Sequence, residues 1–271
     1  MKAATTVTMA RILASSFEKW LAALDERHLA NLTPSEVTRA LRALSSCYVE
    51  RREKLARGGA LDSAGKRAAF ALFYAPVHFL VVREITRALA PAARIERVID
   101  LGCGTGSAGA ALALESGATR IQGVDRNAWA VAEANWTYRT FQLGGRATTG
   151  DLVRKPFAPQ RGDAILLAYA VNELADDGRA LLLTRLLAAH REGASLLIVE
   201  PIARRVNRWR VEWLAAFNGE GAREDEWRFR VSLPPRQRTL AKAAGLDPQE
   251  LTARSLYVSG MQPRLDYETQ L

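Results

Sequence analysis

The sequence predicts an α/β fold, a doubly wound and mostly parallel sheet preceded by a helical segment, and three observations carry that prediction. In Val98-Ile-Asp-Leu-Gly-Cys-Gly-Thr-Gly106, three glycines at alternate positions directly follow a short apolar run. That pattern specifies a strand-to-loop turn that wraps a ligand. A second apolar run, Ile121-Gln-Gly-Val-Asp125, ends in an acid about 20 residues further on. Short apolar runs then continue to alternate with helical patterns, as βαβ units do.

The elements follow in order. Residues from about 11 to 90 carry helical periodicity, and Leu32-Thr33-Pro34-Ser35-Glu36 is a helix start with a hydroxyl cap, an early proline and an acid. Residues 1–90 are therefore expected to form an all-helical N-terminal domain, broken at Arg57-Gly-Gly-Ala60. Leu89-Ala-Pro-Ala-Ala93 is the expected joint to a second domain over 91–271. After the two strands described above, a third short segment precedes Gly150-Asp151-Leu152, and Asp163-Ala-Ile-Leu-Leu-Ala-Tyr169 is a fourth strand. Asp176-Asp177 caps a helix to about Arg191 whose leucines face the sheet, and Ser195 to Glu200 is the fifth strand. Phe229 to Leu233 and Arg254 to Val258, with a helix near Arg238 to Ala244 between them, are the sixth and seventh strands and pair antiparallel. No internal repeat or low-complexity tract interrupts the chain.

With 271 residues and 48% hydrophobic content, the chain suffices for one large α/β core plus an accessory domain. Apolar stretches such as Ala180 to Ala189 are broken by Arg or Thr, so no transmembrane helix is expected. Met1 to Phe17 lacks the continuous apolar core of a secretory signal. Cys47 and Cys103 are the two cysteines, too few for a disulfide framework or a four-cysteine metal site, and a reducing cytoplasm is the expected location. His28, His78 and His190 have no ligand spacing, so no metal is expected.

The net charge of +9 is uneven: residues 1–90 contribute +6, residues 91–200 are neutral, and residues 201–240 contribute +4. Arg204, Arg205, Arg208 and Arg210, interleaved with Trp209 and Trp213, follow the fifth strand at the ligand-binding edge. Guanidinium groups pair with phosphate and stack on bases, which predicts RNA as a partner. The competing reading is a solvated arginine face in a chain that uses 32 Arg against 6 Lys.

Taken together, the glycine loop and the acid-tipped strands resemble class I S-adenosylmethionine-dependent methyltransferases. A nicotinamide-binding loop would instead space its glycines G-x-G-x-x-G. The resemblance implies a seven-stranded Rossmann-like sheet with an antiparallel last strand, S-adenosylmethionine as cofactor and S-adenosylhomocysteine as product. It places Gly102, Cys103, Gly104 and Gly106 against the cofactor's amino-acid moiety, with Asp100 on its ammonium group. Asp125, with Arg126 beside it, takes the ribose hydroxyls; Asp151 and Leu152 take the adenine; Ala168 lies at the strand end nearest the methyl group. A narrower resemblance rests on Tyr169-Ala-Val-Asn-Glu-Leu174, Ile198-Val-Glu-Pro-Ile202 and Asp225-Glu-Trp-Arg-Phe229 before a Leu-Pro pair. Over roughly residues 35–260 the chain is similar to the methyltransferase-like proteins associated with the small subunit of mitochondrial ribosomes, and to their bacterial relatives. This implies a role on small-subunit ribosomal RNA or in its assembly. Members with an iron-sulfur cluster need four cysteines, so no cluster is expected here. Some members assist assembly without methylating, which makes catalysis less firmly implied than cofactor binding.

Methyl transfer is an in-line displacement for which the protein mainly supplies alignment. The candidates are Tyr169 to shape the pocket, Asn172 to hydrogen-bond an acceptor base and Glu173 to accept a proton. Each has a structural alternative: Tyr169 packing on the cofactor, Asn172 capping its turn, Glu173 pairing with a nearby arginine. Glu200-Pro201 lines the acceptor side, and Tyr74 and His78, one helical turn apart, either roof the cofactor or pack in the core. Ala168-Tyr169-Ala170 replaces the Asn/Asp-Pro-Pro-aromatic motif of adenine amino methylation, and Cys103 and Cys47 are both misplaced for cytosine C5 chemistry. The remaining alternatives are a small-molecule enzyme with a helical lid and a non-catalytic assembly factor.

Overall fold

A computed structural model describes residues 2–50, 61–91, 94–203, 208–246 and 249–260. The expected break at Arg57–Ala60 and the residues Arg204 and Arg205 lie outside them, as does the side chain of Cys47.

Period-2 alternation builds the sheet. The strands are β1 (Arg97–Leu101), β2 (Arg120–Asp125), β3 (Gly144–Thr149), β4 (Asp163–Ala168), β5 (Ser195–Glu200), β6 (Arg223–Phe229) and β7 (Leu251–Val258). Val98, Leu166, Leu197 and Val199 enter the core on one face, while Ile99, Leu101, Ile165, Leu167, Leu196 and Ile198 enter the core on the other. The strand order is β3-β2-β1-β4-β5-β7-β6. The first five strands are mutually parallel, and β7 runs antiparallel to both β5 and β6.

The sixth strand corrects the sequence reading, since it covers Arg223–Phe229 rather than Phe229 to Leu233. It is an edge strand with charged residues on both faces, so hydrophobic alternation does not reveal it. Cross-strand ion pairs hold it, with Arg254 of β7 reaching Glu224 and Glu226 at 3.3 and 2.7 Å. Beyond Leu233, Pro234 caps the next helix and Pro235 opens it.

The helices are α1 (Lys2–Leu29), α2 (Pro34–Glu50), α3 (Ala64–Leu89), α4 (Ser107–Ser116), α5 (Ala128–Thr140), α6 (Asp176–Arg191), α7 (Arg210–Ala216) and α8 (Pro235–Ala243). At the start of α2, the Glu36 carboxylate accepts the Thr33 amide at 2.7 Å, and the Thr33 hydroxyl accepts the Glu36 amide at 3.3 Å. Helix α6 has Ala175 as its N-cap without a side-chain bond. Asp176 and Asp177 instead fall in its first turn, where they meet the positive end of the helix dipole.

Helix α3 is long and apolar enough to cross a membrane, but 72% of its apolar window is buried inside the protein. It serves as a core helix. Trp20 of α1, fully buried, packs between Phe79 of α3 and Phe141 after α5 at centroid distances of 5.7 and 5.5 Å. The N-terminal helices therefore share one core with α4, α5 and a face of the sheet. Leu182, Leu183 and Leu186 of α6 and Trp213 of α7 cover the other face.

Candidate functional site

The strand order reverses between β1 and β4, and the C-terminal ends of β1, β2 and β4 meet at that crevice, where open α/β sheets bind ligands. From β1 the glycine loop leans across onto β2, with the amides of Gly102 and Cys103 donating to the Val124 carbonyl at 2.8 and 3.0 Å. Gly102, Gly104 and Gly106 take φ of 77°, 50° and 75°. A Cβ on Gly106 would stand 2.6 Å from Cε1 of Tyr138, whereas one on Gly104 would meet nothing nearer than Phe70 at 4.0 Å. Gly104 is thus the open side of the loop. Gly106→Ala is expected to destabilise the fold by about 2 kcal/mol, combining the left-handed conformation with overpacking. Gly117→Ala, with similar φ of 76° but open space around it, is expected to lose about 1 kcal/mol; equal losses in urea unfolding would remove the steric argument.

Asp125 pins the loop. Its carboxylate accepts the Gly104 amide at 2.9 Å and the Asn127 amide at 2.8 Å. The Gly150 amide donates to the Asp125 carbonyl at 2.9 Å, which brings exposed Asp151 alongside. Leu152 leans on Gly102, 3.2 Å from where a Cβ would be. Gly102, Gly104, Gly106, Asp125, Asp151 and Leu152 therefore gather at one crevice, with Ala168 at the adjoining end of β4. Arg126 is half-exposed and pairs with Glu173 at 3.7 Å, linking the end of β2 to the turn after β4.

Asp100 and Cys103 both turn their side chains inward. Strand alternation turns Asp100 to the same face as Val98, under the loop and onto α4, where it is 1% exposed and its oxygens have no accessible surface. It faces the Gly109 amide and the Tyr138 hydroxyl rather than the open side of the loop. Burial, reinforced by the charge of Asp125, lifts its pKa to about 7. The Cys103 thiol is also buried, which pushes it well above its ordinary range, and its backbone serves the loop itself. A carboxyl whose pKa is higher folded than unfolded contributes full stability only below the unfolded value, and loses it as pH rises through the folded one. Asp100→Asn has no such loss, so its stability relative to wild type should rise by about 2 kcal/mol between pH 5 and pH 8 in urea titrations. A constant difference would count against the buried acid.

Tyr169 directly follows β4. It is a non-glycine residue at φ 60°, a strained conformation of the kind found at ligand sites. Its amide donates to Val199 at 2.8 Å, and its ring stacks on His78 at 4.0 Å and 19°. Phe70, Tyr74 and His78 of α3 lie within 6.0 Å of one another, with Phe70 facing Gly104. Burial keeps His78 neutral, lowering its pKa to about 3, and pushes the Tyr169 phenol well above its usual range. The rings act as a roof rather than as acids or bases at neutral pH. Of the two readings of Tyr74 and His78, the structure shows the packing: with Phe70 and Tyr169 they form one aromatic cluster, whose Phe70 end lies beside Gly104.

Asn172 and Glu173 are engaged elsewhere. Buried Glu200 accepts the amides of Val171 and Asn172 at 2.8 and 3.2 Å and the Asn172 side-chain amide at 2.7 Å. Trp209 donates to the other end of the Asn172 side chain at 2.8 Å. Asn172 is a strut at the end of β4, and Glu173 realises its arginine-pairing alternative. Trp209 and Trp213 are 9% and 1% exposed in the core beneath the sheet, so neither offers a surface for stacking bases. Arg210 pairs with Glu224, and Arg208 is exposed. Among the described residues, no three His, Cys, Asp or Glu side chains gather in a metal-binding group.

The cradle left open at Gly104, bordered by the carboxylates of Asp125 and Asp151, fits a nucleoside with a cationic amino-acid tail. Residues 98–193 match a family model described as a methyltransferase domain. No curated protein matches the chain. Among solved structures, YcgJ of Bacillus subtilis is 16% identical with a TM-score of 0.46, covering 68% of this chain and 98% of its own. The N-methyltransferase NodS of Bradyrhizobium japonicum, bound to S-adenosyl-L-homocysteine, is 12% identical with a TM-score of 0.47, covering 68% and 86%. The mitomycin 7-O-methyltransferase MmcR is 15% identical with a TM-score of 0.49, covering 89% and 72%. Residues 98–193 are a methyltransferase domain, and S-adenosylmethionine is its cofactor.

Proposed function

We propose that this S-adenosylmethionine-dependent methyltransferase acts on RNA, with small-subunit ribosomal RNA of the cytoplasm as the first candidate. The observation that supports this reading is a stacked pair of aromatic rings, His78 on Tyr169, beside the glycine loop in a chain of net charge +9 whose positive excess lies outside residues 91–200. Such an arrangement suits a base turned out of its stack, with the phosphates held by arginines around the entrance. The narrower family resemblance points the same way. S-adenosylmethionine, when bound, supplies an activated methyl group with a good leaving thioether.

The chain's own residues then have to hold and align. Gly104 and Asp125 receive the amino-acid and ribose portions, Asp151 and Leu152 border the adenine, and Ala168 ends β4 beside Tyr169. Tyr169 and His78 offer a flat surface for an acceptor ring. Residues 1–90 act as a lid or an RNA-contacting unit, and residues 91–271 as the catalytic domain.

A second reading, a small planar acceptor under a helical lid, is favoured by the burial of Trp209 and Trp213, which removes the expected stacking platform. Transfer of labelled methyl from S-adenosylmethionine to small-subunit ribosomal RNA separates the two. Label in RNA, together with RNA affinity that falls steeply with salt, is the expected result. Label confined to small molecules would select the second reading. RNA binding without transfer would select a non-catalytic assembly role.

A further inference from the structure

The aromatic roof depends on an irregularity in α3 whose cause is visible in the sequence. In a regular helix the Leu72 carbonyl would accept the amide of residue 76, but residue 76 is proline and has no N–H. The chain there forms a π-helical turn, Phe70–Tyr74, with the Ala75 amide donating to Phe70. Leu72 is buried, so its carbonyl needs a donor from elsewhere. Gln237 of α8, itself 3% exposed, supplies one, its side-chain amide donating to the Leu72 carbonyl at 2.8 Å from 165 residues away in sequence.

We propose that Gln237 is a positioning residue for the cofactor site, standing in for the hydrogen bond Pro76 cannot make and so fixing the π-turn. The turn sets the rings. Phe70 opens it and faces Gly104; Tyr74 closes it; His78, one helical turn on, stacks on Tyr169. If the turn slipped to regular α-helix, these side chains would rotate relative to the glycine loop, because one residue fewer per turn changes the face each presents. Gln237 thereby acts on a site it does not touch. The inference rests on the cofactor reading of the glycine loop and is independent of the acceptor.

The test is calorimetric titration of S-adenosylhomocysteine into the full chain, comparing wild type, Gln237→Met and Leu240→Ala. Gln237→Met keeps the length of the side chain and removes the donor; Leu240→Ala loosens α8 by removing a buried side chain that does not hold the Leu72 carbonyl. Gln237→Met is expected to bind about tenfold more weakly, an effect the size of one buried hydrogen bond. Leu240→Ala should lower Tm at least as much while keeping wild-type affinity. NMR of the His78 ring adds a second readout: silent in wild type from pH 5 to 8, it should titrate in Gln237→Met as water reaches the loosened stack.

Affinity and His78 behaviour unchanged in Gln237→Met, or affinity losses in both variants that simply track Tm, would overturn the proposal. If Gln237→Met does not fold, Gln237→Glu carries the test, since it donates only when protonated. Weakening relative to wild type at pH 8 that recovers at pH 5.5 supports the role, and none at either pH overturns it. Failure of wild type to bind S-adenosylhomocysteine would refute the cofactor reading instead, and the His78 titration would still decide whether Gln237 holds the roof.

Discussion

Asp125→Ala is expected to weaken S-adenosylmethionine binding about 100-fold, the combined effect of losing two charge-assisted hydrogen bonds at about 1.5 kcal/mol each, the lower end of their range. One is the bond from the Gly104 amide that draws the open side of the glycine loop toward β2, and the other is the bond from Asn127 that starts α5. Without the first, the loop keeps its positive-φ glycines but loses the contact that sets Gly104 against the crevice. The ribose contact implied by the sequence resemblance would be lost as well. Asp125→Asn should fall between, because its amide keeps one oxygen to accept Asn127 and turns an N–H₂ toward the Gly104 donor. Calorimetry on both variants decides the matter. Affinity within threefold of wild type in Asp125→Ala would mean that the loop holds its shape, and the cofactor its place, without this carboxylate.

The parts of this site legible in the sequence are those whose backbone conformation is demanding. Alternate glycines after an apolar run announce positive φ, and an acid ending the next strand announces a crevice neighbour; both stand where expected. Asp100 is legible in type but not in direction, because the alternation from Val98 turns its side chain under the loop. Trp209 and Trp213 likewise face inward. They are four residues apart, the spacing of one buried stripe, and that spacing outweighs the arginines between and around them. β6 was hidden for the opposite reason, because an edge strand held by Arg254 ion pairs has no apolar alternation to read. The π-turn had one local signal, Pro76 inside a helical pattern. Its partner Gln237 had none, because nothing in a polar residue near the start of a distant helix indicates which carbonyl it will meet.

Glu200 shows how far such tertiary partnerships reach, and Glu200→Ala is expected to cost about 4 kcal/mol of stability, as loss of a buried charged acceptor does when several donors are left unpaired. Three donors depend on it, the amides of Val171 and Asn172 and the Asn172 side chain, and Asn172 in turn holds Trp209 in the core. The consequence should extend to function, because Tyr169 sits two residues upstream at φ 60° and a strained residue persists only while its surroundings over-determine it. Removing the anchor lets Tyr169 relax away from His78, and methyl transfer should fall about 100-fold even where the protein remains folded, an alignment effect of the size small misplacements produce. Glu200→Gln distinguishes anchor from reactant. It preserves shape and one acceptor oxygen, so an anchor predicts partial stability with partial transfer, both recovering together. Wild-type stability and S-adenosylhomocysteine affinity with transfer abolished would instead make the Glu200 charge part of the chemistry, and the turn after β4 would be the place where the acceptor's proton goes.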